Sequence, residues 1–212
     1  MRFADRRAAG RDLAEALEEE YAGRDVVVLG LARGGVEVAV EVARRLGAPL
    51  DALVVGKLGV PSQPELAFGA IAPQGVRVLN DDIVESVGLS ASRIEEVEQR
   101  EREELEEKRR LYRQERPAID LTGKQVILVD DGLATGATMR AAIRYAEEQG
   151  AAGIIAAVPV GAPRTCRSIG QQADRLVCLA EPSMFFGVGQ FYESFPPVTN
   201  DQVVDLLREA DS

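Results

Sequence analysis

The sequence predicts an α/β protein built on a doubly wound, mainly parallel sheet of about five core strands. Three observations carry that expectation. Short runs dominated by branched apolar residues recur at Val26 to Leu31, Leu50 to Lys57, Val126 to Val129, Gly153 to Val160 and Asp174 to Ala180. Such runs, without polar alternation, fit strands buried on both faces. Segments with apolar residues at helical spacing lie between most of them, which implies βαβ units with right-handed crossovers. The 212 residues suffice for one well-buried core, so 1–212 is expected to be a single domain.

Along the chain, Asp5 to Tyr21 reads as a helix with Leu13, Ala16, Leu17 and Tyr21 on one face and glutamates on the other. Gly23 stops it. The first strand leads into Ala32-Arg33-Gly34-Gly35 and then a helix, Val36 to Leu46, ended by Gly47. After the second strand, Gly59 to Glu65 has loop chemistry. Ala67 to Ala72 and Val76 to Leu79 read as a hairpin turning through Pro73 and Gly75. Asp81 to Val87 is a short helix.

A long charged helix then opens at the capping box Ser92-Arg93-Ile94-Glu95 and runs to about Glu115. The spacing offers the pairs Glu96–Arg100, Glu98–Arg102, Glu104–Lys108 and Glu106–Arg110, each contributing roughly 0.2–0.5 kcal/mol. Its apolar seam is thin: Ile94, Val97, Leu105, Leu111 and Tyr112. Further helices are expected at Met139 to Gln149, at Pro163 to Gln171 with proline in the first turn, and at Asn200 to Ala210. The stretch from Glu181 to Pro197 gathers Phe185, Phe186, Phe191, Tyr192 and Phe195.

Composition narrows the function. A net charge of −10 argues against nucleic acid as an electrostatic partner. Histidine is absent, which excludes His-based triads, general bases and metal sites. Cys166 and Cys178 lack metal-ligand spacing and read as reduced thiols. No apolar run approaches membrane-spanning length and the start does not read as a signal peptide. The expectation is a cytoplasmic protein with no membrane partner.

The chemistry concentrates in VILVDDGLATGATM, Val126 to Met139. A buried strand ends in Asp130 and Asp131, then a small-residue turn opens into a helix. Such a turn presents unpaired backbone N–H groups and the positive end of a helix dipole. Ala134, Gly136 and Ala137 allow an anion close approach, and Thr135 and Thr138 add hydroxyls: this is a phosphate cradle. Carboxylates do not bind phosphate. Two adjacent ones suit a vicinal diol, or a metal ion held through water. Phosphate plus diol describes a ribose 5-phosphate. Neither a Walker loop nor a dinucleotide-binding GxGxxG is present.

At these residues the chain resembles the type I phosphoribosyltransferases, which use phosphoribosyl pyrophosphate (PRPP). Their motif is four hydrophobic residues, two acidic residues and a small-residue loop with Thr and Gly. Gly132 departs from the family's usual aliphatic residue and is expected to loosen the turn. The resemblance implies that Asp130 and Asp131 bind the ribose hydroxyls with Mg²⁺ nearby through water, and that Ala134, Thr135, Gly136, Ala137 and Thr138 form the 5-phosphate loop. It implies that Arg33, Gly34, Gly35 and Lys57 handle pyrophosphate, with a strained or cis peptide frequent in the turn before them. Asp130, Asp131 and Lys57 would be the catalytic residues.

The resemblance also implies a flap, here a hairpin plus the long helix at about 58–123, the helix serving as a flap element or a dimerisation arm. A small C-terminal hood at about 181–199 would bind the acceptor base, with Phe185, Phe186 and Tyr192 as candidates. Ala134 stands where the 6-oxopurine enzymes carry an Asp, which argues against hypoxanthine or guanine. The implied activity is transfer of a 5-phosphoribosyl group from PRPP to a nitrogen acceptor, a nucleobase above all, by a homodimer. The alternative is a regulator on the same fold that senses PRPP or a nucleotide without turnover.

Overall fold

The computed structural model describes residues 2–114 and 116–211. The main sheet comprises β1 (Val26–Ala32), β2 (Leu50–Val54), β6 (Gln125–Val129), β7 (Gly153–Val160) and β8 (Arg175–Ala180). Its order is β2-β1-β6-β7-β8 and every pairing is parallel. The expected five-stranded core is therefore present, with β6 at its centre.

Alternation along the strands divides the core. Val28, Ile127, Val129 and Ile155 face one side, where α1 (Arg6–Tyr21), α2 (Gly34–Leu46) and α7 (Asn200–Ala210) pack. Val27, Val126, Leu128 and Ile154 face α5 (Ala137–Glu148) and α6 (Pro163–Ile169) on the other. Both faces are covered, as the continuous apolar runs require.

On α1 the buried stripe is Arg6, Ala9, Gly10, Leu13, Ala14, Leu17 and Tyr21. Ala14 takes the place expected of Ala16, which is exposed. Arg7 of α1 and Arg44 of α2 both pair with Glu209 of α7, so one carboxylate ties three helices together.

The run at Leu50 to Lys57 is not one strand. β2 stops at Val54, and β3 (Gly56–Val60) joins β4 (Gln63–Ile71) and β5 (Arg77–Leu79) in a separate antiparallel sheet. Lys57 thus belongs to the small sheet, opposite Ala70. Gly59 to Glu65, read as a loop, is strand, tight turn and strand. A Cβ on Gly59 would lie 2.6 Å from the Pro64 carbonyl oxygen, so glycine there lets the two strands close with a bulge rather than marking a coil.

After α3 (Asp81–Val87), α4 (Ala91–Arg113) begins earlier than the box at Ser92 suggests. Ser90 is the cap, accepting from the Arg93 N–H at 3.3 Å. The expected end at Glu115 lies outside the described residues. Of the four anticipated pairs, Glu98–Arg102 and Glu104–Lys108 form. Glu96 and Glu106 instead pair at three-residue spacing with Arg93 and Arg109. Ile94, Val97, Leu105 and Tyr112 are buried and Leu111 is exposed. The seam joins the main core, and Tyr112 donates to Asn200 Oδ1 at 2.6 Å, which fastens α4 to α7 of the same chain. Among the described residues, no helix is long and apolar enough to cross a membrane.

Candidate functional site

The site lies at the carboxyl end of β6, the crevice position favoured for ligands in open α/β sheets. Asp130 and Asp131 follow the last strand residue. The Asp131 N–H donates to Asp130 Oδ1 at 2.9 Å, and the Asp131 carboxylate accepts from Arg6 Nε at 2.8 Å. Burial, reinforced by the neighbouring Asp131, pushes the Asp130 carboxyl well above the ordinary carboxylate range, while Lys57 and Arg6 pull against that. Burial also raises Asp131, opposed first by its hydrogen bond from Arg6.

The turn after β1 packs directly against this pair. The Ala32–Arg33 peptide bond is cis, and α2 starts at Gly34 rather than Val36. A Cβ on Gly35 would lie 2.6 Å from the Val129 carbonyl oxygen and 2.9 Å from Asp130 Cα. A Cβ on Gly34 would collide with Asp131 Oδ2 and reach 3.0 Å from Arg6 Nε. Gly34 is thus required by close approach of the Asp131 carboxylate and Gly35 by close approach of the β6 backbone end, whatever the site binds. The Arg33 side chain is exposed at the edge of this turn.

The loop from Leu133 to Thr138 is clamped at several points. Leu133, almost fully buried, donates its N–H to the Val160 carbonyl at 2.9 Å and accepts from the Ala162 N–H at 2.8 Å. Thr165 Oγ1 donates to the Ala134 carbonyl at 2.6 Å, and Arg140 Nη1 donates to the Thr135 carbonyl at 2.9 Å. Gly136 caps α5 at φ 79°, a left-handed conformation that favours glycine. The carbonyls are turned outward into these bonds, and the first N–H groups of α5 stay available at the loop. At Gly132 the lack of a Cβ makes room for Val188, whose side chain would otherwise overlap it.

Lys57, Asp130, Asp131, Ala134, Thr135, Gly136 and Thr138 line one cavity of about 210 Å³, with Ala32, Gly132, Leu133 and Val188 completing the wall. Lys57 enters from the small sheet and faces the carboxylates. A larger cavity, about 420 Å³, lies between β4, α3 and the start of α5 and shares Thr135.

The aromatic candidates divide. Tyr192 has no face free for stacking: it is buried between Phe3 and Phe195, with ring centroids 5.6 and 4.8 Å away. Its hydroxyl donates to the Asp131 carbonyl at 2.6 Å, and burial pushes its phenol up. Phe185 stacks on Phe191 at 5.4 Å. Phe186 is 90 % exposed. None of the three lines the 210 Å³ cavity; Val188, from the same tail, does. Sequence reasoning missed Val188 and Arg6. A charged residue in register with the buried stripe of α1, three before Ala9 and seven before Leu13, was the available signal for Arg6.

Comparison with known proteins gives a consistent result. The family model described as "Phosphoribosyl transferase domain" matches residues 4–194. A Mycobacterium tuberculosis H37Rv protein provisionally named a phosphoribosyl transferase is 50% identical over 208 residues, covering 98% of this chain and 47% of that protein. The chain thus spans about half the length of the curated relatives that it matches over nearly all of its own. The crystal structure of TT1426 from Thermus thermophilus is 42% identical, covers 99% of both chains and superposes with a TM-score of 0.82. A uracil phosphoribosyltransferase of a Nocardioides strain is 42% identical over 62 residues, 29% of each chain.

Proposed function

The chain belongs to the phosphoribosyl transferase domain family, and from that premise we propose that it moves a 5-phosphoribosyl group from PRPP to a nitrogen acceptor, with release of pyrophosphate. The observation that carries this reading is the single cavity in which a phosphate loop, two carboxylates and Lys57 converge. In the proposed complex the 5-phosphate sits on the N–H groups and hydroxyls of Thr135, Gly136, Ala137 and Thr138. Asp130 and Asp131 accept the ribose hydroxyls. Lys57, Arg33 and the N–H groups of Gly34 and Gly35 receive the pyrophosphate.

The donor set also suits Mg²⁺, since hard carboxylate oxygens at the cavity wall can hold that ion through its water shell. Bound with PRPP, Mg²⁺ offsets pyrophosphate charge. This chain's own residues hold the two ends of the donor apart and orient C1 toward the acceptor, with Val188 excluding water from one wall. No histidine is needed, because departure of pyrophosphate from an oxocarbenium-like centre requires charge stabilisation rather than a strong nucleophile.

The acceptor is a nucleobase in this reading. Ala134 supplies no side-chain acceptor for an oxopurine, and the short likeness to a uracil enzyme puts pyrimidines first in the screen. Pyrophosphate release with PRPP–Mg²⁺ and each free base in turn tests the turnover. A charge-assisted hydrogen bond contributes roughly 1.5–3 kcal/mol, so Asp131→Asn is expected to weaken PRPP–Mg²⁺ binding about ten- to a hundred-fold by calorimetry. Unchanged affinity in that variant would overturn the ribose assignment. PRPP binding without pyrophosphate release for any base would favour a sensing role instead.

A further inference from the structure

Arg6 is a buried cation at the start of α1, only 5% exposed, and its guanidinium is engaged on several sides. Nε donates to Asp131 Oδ2 at 2.8 Å and Nη1 donates to the Pro196 carbonyl at 2.8 Å. The Glu37 carboxylate lies 3.9 Å from Nη1, and the Phe195 ring centroid lies 3.7 Å from the guanidinium carbon. We propose that Arg6 is a positioning residue of the donor site, acting on PRPP through Asp131. The proposal rests on the donor reading above and adds to it a residue 125 positions away from the carboxylate that it steers.

Three features favour positioning over a simple structural ion pair. A buried ion pair is a weak source of stability, because desolvation offsets most of its Coulombic gain and apolar side chains of similar volume usually serve as well. Retaining one at this point needs another reason, and its acidic member is a residue that lines the ligand cavity. The same residue is held a second time, through its backbone, by the Tyr192 hydroxyl at 2.6 Å. Asp131 is thus fixed at both carboxylate and carbonyl by groups that do not line that cavity. The chain also keeps space for the pair, since any side chain at Gly34 would fall on Oδ2.

The consequence for the site is directional. Arg6 occupies Oδ2 and leaves the other carboxylate oxygen as the acceptor for a ribose hydroxyl. Two neighbouring carboxylates then differ in role: Asp131 is aimed from behind by a cation, and Asp130 is held by the Asp131 N–H. Rigid support of a liganding side chain by a second group is how binding geometry is kept within a fraction of an ångström.

A double-mutant cycle on the full chain tests this, with PRPP–Mg²⁺ affinity measured by calorimetry for wild type, Arg6→Gln, Asp131→Asn and the double variant. Arg6→Gln is expected to weaken binding roughly ten-fold or more. The double variant is expected to bind within about two-fold of Asp131→Asn alone, because both changes break one interaction. Additive losses would show that Arg6 does not act through Asp131 and would overturn the proposal. So would wild-type affinity in Arg6→Gln accompanied only by a lowered melting temperature. Should Arg6→Gln fail to fold, Arg6→Lys runs the same cycle, since lysine keeps the charge but cannot present the two divergent N–H groups. Failure of the wild type to bind PRPP would overturn the donor reading itself, and this inference with it.

Discussion

Replacing Gly34 by alanine is the most informative single perturbation of the site. The new Cβ would overlap Asp131 Oδ2 and stand 3.0 Å from Arg6 Nε. To restore ordinary contact the carboxylate has to retreat by about 1 Å or more, which breaks its 2.8 Å bond to Arg6. Removing one partner of a buried ion pair costs about 3–5 kcal/mol. Arg6 keeps its bond to the Pro196 carbonyl and its place over the Phe195 ring, so a loss of roughly 2–3 kcal/mol is expected here. For a chain of this size that corresponds to a fall in melting temperature of about 4–12 °C. Calorimetric melting of Gly34→Ala beside Gly187→Ala makes the comparison, because a Cβ at Gly187 meets nothing within 4 Å and its φ of 174° suits any residue. If both variants melt like the wild type, the steric reasoning is refuted. If only PRPP binding falls, Gly34 acts solely as a ligand-loop residue.

Three other outcomes are expected. Asp130→Asn keeps the acceptor for the Asp131 N–H while removing a charge that burial and Asp131 disfavour. The unliganded variant should melt about 2–4 °C higher near pH 7; since the wild-type pKa is raised, the penalty grows as pH rises toward it from the unfolded value, and the advantage should vanish in acid. Glu209 is held down to about 2, first by its hydrogen bond from Arg7 and then by Arg44; its stabilisation is present above pH 4.5 and is lost as pH falls toward 2. The melting difference between wild type and Glu209→Gln should narrow over that window and in molar salt, because the cluster is partly exposed. Gly136→Ala places a side chain at φ 79° and 2.7 Å from the Thr165 methyl carbon; a destabilisation of about 1–2 kcal/mol, with weaker PRPP binding in calorimetry, is expected.

What the sequence disclosed follows the reach of its physical signals. Val126 to Val129 could be read as a doubly buried strand because burial on both faces leaves a local pattern of its own. The small-residue turn at 132–138 was legible as a turn for the same reason, since close approach and φ above zero demand small residues at fixed places. Lys57 lines the cavity but stands on a different strand from the one expected: the break at Val55–Gly56 changes sheet without changing composition. The Ser-x-x-Glu spacing points to Ser92, whereas the cap is Ser90, because only geometry shows which hydroxyl meets a helix N–H. Tyr192 read as a stacking platform since an aromatic residue looks alike whether its ring faces a ligand or Phe3. Arg6 was invisible to motif reasoning because its partners, Asp131 and Pro196, are 125 and 190 residues distant.

That distance has a bearing on biosynthesis. Phe3 exchanges backbone hydrogen bonds with Phe191 and Glu193, and Arg6 reaches Pro196. At translation rates of about 5–20 residues per second, the intervening chain takes on the order of 10–40 s to make. The clamps of the 133–138 loop all lie between Leu133 and Thr165, so that loop can close while the tail is still being synthesised. The carboxylate pair cannot yet be clasped from behind. The hydrogen bonds around the 133–138 loop can therefore form before Arg6 and Tyr192 close on Asp131, and the two halves of the proposed donor site join only after the last aromatic residues leave the ribosome.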